Sequence, residues 1–185
     1  MLSRKKTLAV GAILVTLAAT PLLSQTKPQA AQLDSLITAA KDAAIYTRQL
    51  FTKAADQMSE EDYAFRPTPE VRTFGQVLAH VADANYEFCS LAKGEKQPVE
   101  DIEKTKTTRA EIRKALAESF DYCDGAYAGL TDATALKTVT FMGKSRPVLG
   151  LLFFRSQHSS HHYGNVATYM RLRGKVPPST AARAE

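Results

Sequence analysis

Histidines are the residues in this sequence whose types and spacing are best suited to chemistry. The chain has only four, and three of them lie close together at His158, His161 and His162. His158 and His162 are four residues apart, so in a helix they lie on one face. The fourth is His80, far upstream. Two imidazoles at this spacing, joined by one from another helix, match the three-ligand set of a zinc site with an open coordination position.

The nature of the ligands limits the cofactor without naming it. Imidazole nitrogen suits several divalent transition metals, so we expect a divalent ion, with zinc, nickel and iron as the candidates. An ion with an open position can lower the pKa of a water molecule toward neutrality, which is typical of a catalytic site. The alternative is that the histidines are hydrogen-bonded core residues that hold no metal.

Four helical patterns must position these side chains. The first spans about residues 31–58, and the second runs from a cap at Thr73 to about Lys93, with His80 in its apolar stripe. The third follows a capping box at Thr108 and ends near Gly129. The fourth spans about residues 148–173, and residues 138–145 before it alternate like a short hairpin with a turn at Gly143. The pattern predicts an all-α four-helix bundle with a hairpin-like insertion before the last helix.

Helical phase separates the three clustered histidines. His158 and His162 continue the apolar stripe of the fourth helix, which then reaches Asn165 and Tyr169, whereas His161 lies about 100° around the helix from His162. We therefore expect Asn165, His161 and Tyr169 to be neighbours of the ion or contacts for a substrate. Asp83 could orient an imidazole, but it faces away from the apolar stripe, and we expect it to be exposed.

The N-terminal residues have the layout of a secretory signal peptide. A basic segment at residues 4–6 precedes an apolar segment at residues 8–23. We expect a signal peptide at 1–24, a flexible N-terminus at 25–32, the helical domain at 33–176 and a tail at 177–185. The protein would then be periplasmic or secreted. An uncleaved membrane anchor is the alternative, because the uncharged stretch is long enough to span a bilayer.

Export also changes the charge of the mature chain. The formal net charge is +5, but three of the basic residues lie in the predicted leader, so cleavage leaves +2. We therefore expect no nucleic acid as a partner, and no stable membrane insertion once the leader is removed. The two cysteines, Cys89 and Cys123, form no metal-binding motif. They could form a disulfide outside the cytosol or remain buried thiols.

Two stretches resemble the DinB-like superfamily of four-helix metalloproteins. They are FRPTPEVRTFGQVLAHVADANYEFC at residues 65–89 and SQHSSHHYGNVATYMRLRGKVPPST at residues 156–180. The resemblance rests on a proline-rich turn before a helix with one histidine, an H-x-x-H-H run in the last helix and a G-x-x-P-P ending. It extends over nearly the whole chain after the leader.

The resemblance implies which histidines bind the metal and what they do. It assigns the ligands to His80, His158 and His162, and it implies a metal-dependent enzyme of the hydrolase or thiol-dependent transferase type. The alternative is a non-catalytic metal- or ligand-binding module. We expect a small-molecule substrate or ligand, and a chain that can form a homodimer. The family often has H-H-R-G-Q where this chain has residues 161–165 as HHYGN, so a role of that arginine or glutamine in substrate binding is in doubt.

Overall fold

The structure, a computed structural model, describes residues 26–181, so the predicted signal peptide lies outside it. The described chain is almost entirely helical. Its elements, in chain order, are α1 (Thr26–Gln57), α2 (Glu60–Tyr63), α3 (Phe74–Lys93), α4 (Ile102–Thr105), α5 (Arg109–Ala128), α6 (Asp132–Ala135), β1 (Thr138–Phe141), β2 (Lys144–Pro147), α7 (Val148–Leu172) and α8 (Pro178–Ala181). Within residues 26–181, no helix is long and apolar enough to cross a membrane. The predicted all-α bundle with a short hairpin is confirmed.

The long helices begin and end where local chemistry favours a boundary. Thr73 and Thr108 cap α3 and α5, and each accepts a backbone N–H from the third residue of its helix. In both cases the side chain of that third residue bonds back to the cap, which completes a capping box. Gly94 ends α3 in the left-handed conformation, where glycine has no steric penalty.

The four long helices have an up-down-down-up arrangement. Asn85 of α3 donates a hydrogen bond to Ser119 of α5, and Cys89 of α3 forms a disulfide with Cys123 of α5. The later residue of α3 meets the later residue of α5, so the two helices are parallel. Helix α7 is antiparallel to α3. Phe88 near the end of α3 contacts Phe154 near the start of α7, whereas the earlier His80 contacts the later His162. Helix α1 is antiparallel to α5, which its ion pairs to α5 also show.

A parallel pair of helices requires a long connection. The segment 94–108 returns along the whole bundle before α5 can begin, and helices of this length span about 30 Å. It contains α4, whose Ile102 is 1% exposed and packs in the main core. The connection is therefore attached to the bundle at α4.

A disulfide and a polar network cross-link the interior. Cys89 and Cys123 are bonded, with Cα atoms 5.3 Å apart. Nearby, the buried Arg155 of α7 donates from Nε to Asn85 at 2.9 Å and from Nη1 to Thr47 of α1 at 3.4 Å. Asn85 in turn donates to Ser119 of α5. This network therefore links all four long helices, and its bonds satisfy most of these polar groups, although Nη2 of Arg155 has no hydrogen-bond partner within residues 26–181.

The hairpin packs against the same part of α3 and α7. Strands β1 and β2 are antiparallel, with Phe141 opposite Lys144. Met142 and Gly143 at the turn both have positive φ, 50° and 71°, which a tight two-residue hairpin turn requires. Phe141 is buried and lies 5.3 Å from the ring of Phe88. The insertion therefore covers the bundle beside His158.

Some boundaries differ from the sequence-based expectation. Helix α1 begins at Thr26, within the segment expected to be a flexible N-terminus, and α8 lies in the expected tail. The prediction also missed α2, α4, α6 and α8. Each has four residues, which is too short for an apolar period to appear in the sequence.

Candidate metal centre

Three histidines meet between α3 and α7. The helical phase of α7 turns His158 and His162 to the same side, and their ring centroids are 4.5 Å apart. The antiparallel α3 brings His80 to them, with its ring 5.2 Å from His158 and 4.7 Å from His162. One possible ligand atom from each residue lies within 4.8 Å of the others. This geometry would allow a single ion to contact all three.

The imidazoles lack the partners that buried polar groups normally have. His162 is 9% exposed, and His158 and His80 are half-buried. The Nδ1 atoms of His158 and His162 are buried and have no hydrogen-bond partner within residues 26–181. Buried nitrogens without partners cost free energy. The donor set therefore fits a divalent ion, which would use lone pairs that the protein leaves unused.

Burial also holds these histidines in the protonation state that a metal needs. Desolvation, with smaller contributions from the neighbouring imidazoles, lowers the pKa of His158 to about 4 and that of His162 to about 3. Desolvation and the charge of Arg72 lower the pKa of His80, while the nearby carboxylates oppose the shift. All three are neutral at pH 7 and can donate a lone pair to an ion.

A carboxylate from α4 contacts the third histidine. Oε2 of Glu103 lies 3.4 Å from Nδ1 of His80, and its other oxygen accepts from Nε of Arg72 at 2.8 Å. A carboxylate on the Nδ1 side of a histidine commonly fixes the ring for metal binding through Nε2. Sequence reasoning missed Glu103, because it lies in a polar connection with no periodic pattern.

Asp83 positions this carboxylate indirectly. Its two side-chain oxygens accept from the backbone N–H groups of Ile102 and Glu103, at 2.8 and 2.9 Å. Asp83 is half-buried, so the expectation that it is exposed is wrong. The reason is that α4 covers the face of α3 on which Asp83 lies.

The other predicted residues lie around the histidines. His161 is exposed, with its ring 5.2 Å from that of His162. Asn165 is exposed and lines the same cleft as His162. Tyr169 is buried and donates from its hydroxyl to the backbone oxygen of Arg72 at 3.1 Å. The structure thus brings all three near the cluster, while the hydroxyl of Tyr169 is already used in a structural bond.

Two clefts flank the histidines. The first, of about 520 Å³, lies between the 64–73 segment and α7, and His162, Asn165, Arg66 and Arg72 are part of its wall. The second, of about 360 Å³, reaches His80 and His158 from the side of α4. Its charged residues within the described chain are all acidic: Asp83, Glu87, Glu100 and Asp101. The centre is therefore reachable from two sides of different character.

The protein is thus an α-helical bundle with a candidate metal centre, formed by three facing histidines between its second and fourth long helices. The family model of the DinB superfamily matches residues 43–166, which is well over half of the chain. The chain belongs to the DinB superfamily. The resemblance seen in its sequence motifs is therefore confirmed.

Solved structures show the same fold. A DinB-like protein from Bacillus cereus ATCC 10987 matches with a TM-score of 0.67 and 20% identity, over 75% of this chain and 93% of that one. A DinB-like protein from Bacillus subtilis matches with a TM-score of 0.61 and 17% identity, over 77% and 93%. A mycothiol-dependent maleylpyruvate isomerase matches with a TM-score of 0.56 and 18% identity, over 70% of this chain and 60% of that one. Among curated proteins, none matches this sequence.

Proposed function

We propose that this protein binds one divalent metal ion through His80, His158 and His162 and uses it for chemistry on a small molecule. The observation that carries the proposal is the convergence of three neutral imidazoles, two of which have buried Nδ1 atoms without a hydrogen-bond partner in the described part of the chain. Zinc, nickel and iron are the candidate metals. The bound ion would supply Lewis-acid chemistry at a position that the three histidines leave open.

The reaction that we propose is metal-dependent hydrolysis or thiol-dependent transfer. Clefts on both sides of the histidines give a small molecule access to the ion. The similarity in fold to a mycothiol-dependent isomerase supports the thiol-dependent version. The second candidate is a module that binds metal and ligand without turnover, which the same donor set would also serve.

We also propose that the protein is exported to the periplasm or secreted. The N-terminal layout of basic and apolar segments supports this. The disulfide between Cys89 and Cys123 supports it too, because such bonds persist mainly in oxidising compartments.

Metal analysis of purified variants tests the ligand set. Wild-type protein should bind one equivalent of metal, and His158→Ala and His162→Ala should each lose it. His161→Ala is the matched control, since His161 is a neighbouring histidine on the same helix that is exposed. Full metal content in the His158→Ala protein would disprove the three-histidine site.

A cobalt-substituted protein distinguishes the two candidate functions. For the thiol-dependent version, adding small thiols should change the visible absorption spectrum, because a thiolate would enter the open position. Turnover of a thiol-dependent or ester substrate would establish an enzyme. Spectra that respond to ligands without any turnover across such a panel would favour the binding module.

A further inference from the structure

The cleft beside His162 contains two arginines whose hydrogen-bonding capacity is mostly unused. Arg72 donates from Nε to Glu103 at 2.8 Å, and its two terminal nitrogens form no hydrogen bond within residues 26–181. Arg66 donates from one terminal nitrogen to the backbone oxygen of Pro69 at 3.0 Å and makes no other bond in that part of the chain. Each guanidinium is thus anchored by one bond and has free donors.

The surroundings hold Arg72 in a defined orientation. Glu103 accepts a hydrogen bond from Nε of the guanidinium. Tyr169 does not bond to the guanidinium, but its hydroxyl donates to the backbone oxygen of Arg72. The edge formed by the two terminal nitrogens is therefore left for a ligand. A planar pair of N–H donors matches the two oxygens of a carboxylate or a phosphate, which bind such an edge bidentately.

The charges around the histidines favour an anion on this side only. The first cleft contains two arginines and two glutamates: Glu103 is paired with Arg72, and Glu70 is exposed, as are both arginines. The second cleft presents four carboxylates and no lysine or arginine among its lining residues, with the neutral His80 and His158 at its inner end. The carboxylates of the second cleft would repel an anionic group, and the arginines of the first cleft would attract it. The anionic end of a bound molecule would therefore lie in the first cleft.

We propose that the first cleft binds the carboxylate or phosphate group of a substrate through Arg72 and Arg66 and so presents the rest of the molecule at His162. This inference rests on the proposed function, because it assigns a substrate class to the same centre. Arg72 and Arg66 are the residues that recognise the oxyanion, and Tyr169 is a positioning residue that holds the backbone of Arg72.

Calorimetric titration of the metal-loaded protein tests the proposal. Succinate and inorganic phosphate are the two probes, and succinamide is the uncharged analogue of succinate. We expect at least one anion to bind and succinamide not to bind. Arg66→Gln and Arg72→Lys should each lower the affinity for the anion about tenfold or more, because each removes a charge-assisted or bidentate contact. The tighter of the two anions identifies the carboxylate or the phosphate class.

A matched control separates recognition from general charge. Arg48→Gln removes an arginine on α1 that pairs with Asp121 and Asp124, away from the cleft, and it should leave anion affinity unchanged. Equal binding of succinamide and succinate would overturn the proposal. So would anion affinities in the Arg66→Gln and Arg72→Lys proteins that match wild type, since the anion would then be bound by the metal alone.

The same titrations on metal-free protein separate this proposal from the proposed function. Arginine-dependent anion binding in a protein that takes up no metal would support the cleft and reject the metal centre. Stoichiometric metal uptake with arginine-independent anion binding would do the reverse. Arg72→Lys keeps a cation beside Glu103, so metal content measured on that variant should remain that of wild type.

Discussion

Helix α3 is joined to its two neighbours in different ways. On the side of α5, Cys89 forms a disulfide with Cys123. On the side of α7, His80 lies against His158 and His162, and two of these three rings have buried nitrogens without partners. The disulfide is a cross-link that the chain completes by itself. The histidine cluster is arranged like a cross-link that a bound ion would complete.

We infer from this difference that the disulfide serves the fold and that the histidine cluster serves the proposed function. The region around the disulfide is mostly apolar, and its polar side chains include the hydrogen-bonded pair of Asn85 and Ser119. The histidines instead lie between two clefts, and two of their buried nitrogens have no hydrogen-bond partner within residues 26–181. We therefore expect changes at the disulfide to alter stability and changes at the histidines to alter metal binding.

The largest expected effect follows removal of the disulfide. The double variant Cys89→Ala and Cys123→Ala should lose about 4 kcal/mol of unfolding free energy, since the bond closes a loop of 34 residues in the unfolded chain. The midpoint of thermal unfolding should fall on the order of 10 °C. Metal content should remain that of wild type. A variant that unfolds normally but loses its metal would contradict the separation between the two sides of α3.

Metal binding should stabilise the protein through the histidines. At a free concentration of 100 times the dissociation constant, zinc should raise the unfolding free energy by about 2.7 kcal/mol. His80→Ala should abolish this gain, because the ion loses its only ligand from α3, and His161→Ala should retain it. Thermal unfolding with and without zinc measures both. An equal gain in the His80→Ala protein would place the ion elsewhere.

Loss of the Glu103 carboxylate should weaken metal binding without abolishing it. Glu103→Gln changes the group that contacts Nδ1 of His80, and the metal affinity should fall on the order of tenfold. Glu100→Gln is the control, because Glu100 is exposed in the acidic cleft and makes no contact with the histidine. Competition with a chelator measures both affinities, and equal effects of the two substitutions would show that only overall charge matters.

The smallest expected effect is a pH dependence of the metal-free protein. The unfolded chain binds protons on these imidazoles near pH 6.5, whereas folding lowers the pKa of His158 to about 4 and that of His162 to about 3. Because the unfolded state binds more protons, the stability that these two histidines contribute is fully present above pH 6.5 and is lost as the pH falls toward 4.

Thermal unfolding at pH 7.5 and pH 6 should therefore differ by a few degrees in the metal-free wild-type protein. The double variant His158→Ala and His162→Ala should show a smaller difference. An unchanged pH dependence in that variant would assign the acid sensitivity to other groups.

Much of the fold and of the histidine cluster could be predicted from the sequence. The bounds of α3, Phe74–Lys93, agree with the cap at Thr73 and the stop at Gly94, because capping is a local property. The pairing of His158 with His162 follows from helical phase alone. The apolar stripe of α3 indicated His80 as the third histidine, and the resemblance to the superfamily, whose membership is now confirmed, assigned all three as ligands.

The rest depends on contacts between distant segments. Whether Cys89 meets Cys123 depends on the relative direction of α3 and α5, which no local pattern reveals. Glu103 gave no signal, because a four-residue helix in a polar connection has no recognisable period. The signal peptide and the domain limits stay predictions, since the leader lies outside residues 26–181.

The parallel direction of α3 and α5 has a consequence for how this centre can diversify. A parallel pair obliges residues 94–108 to travel back along the bundle, and that return path brings Glu103 to His80. The three histidines belong to long helices, whereas Glu103 belongs to a segment anchored chiefly by Ile102 and by its bonds to Asp83. Changes in the length or charge of this segment could retune the centre while the three histidines and the bundle stay the same.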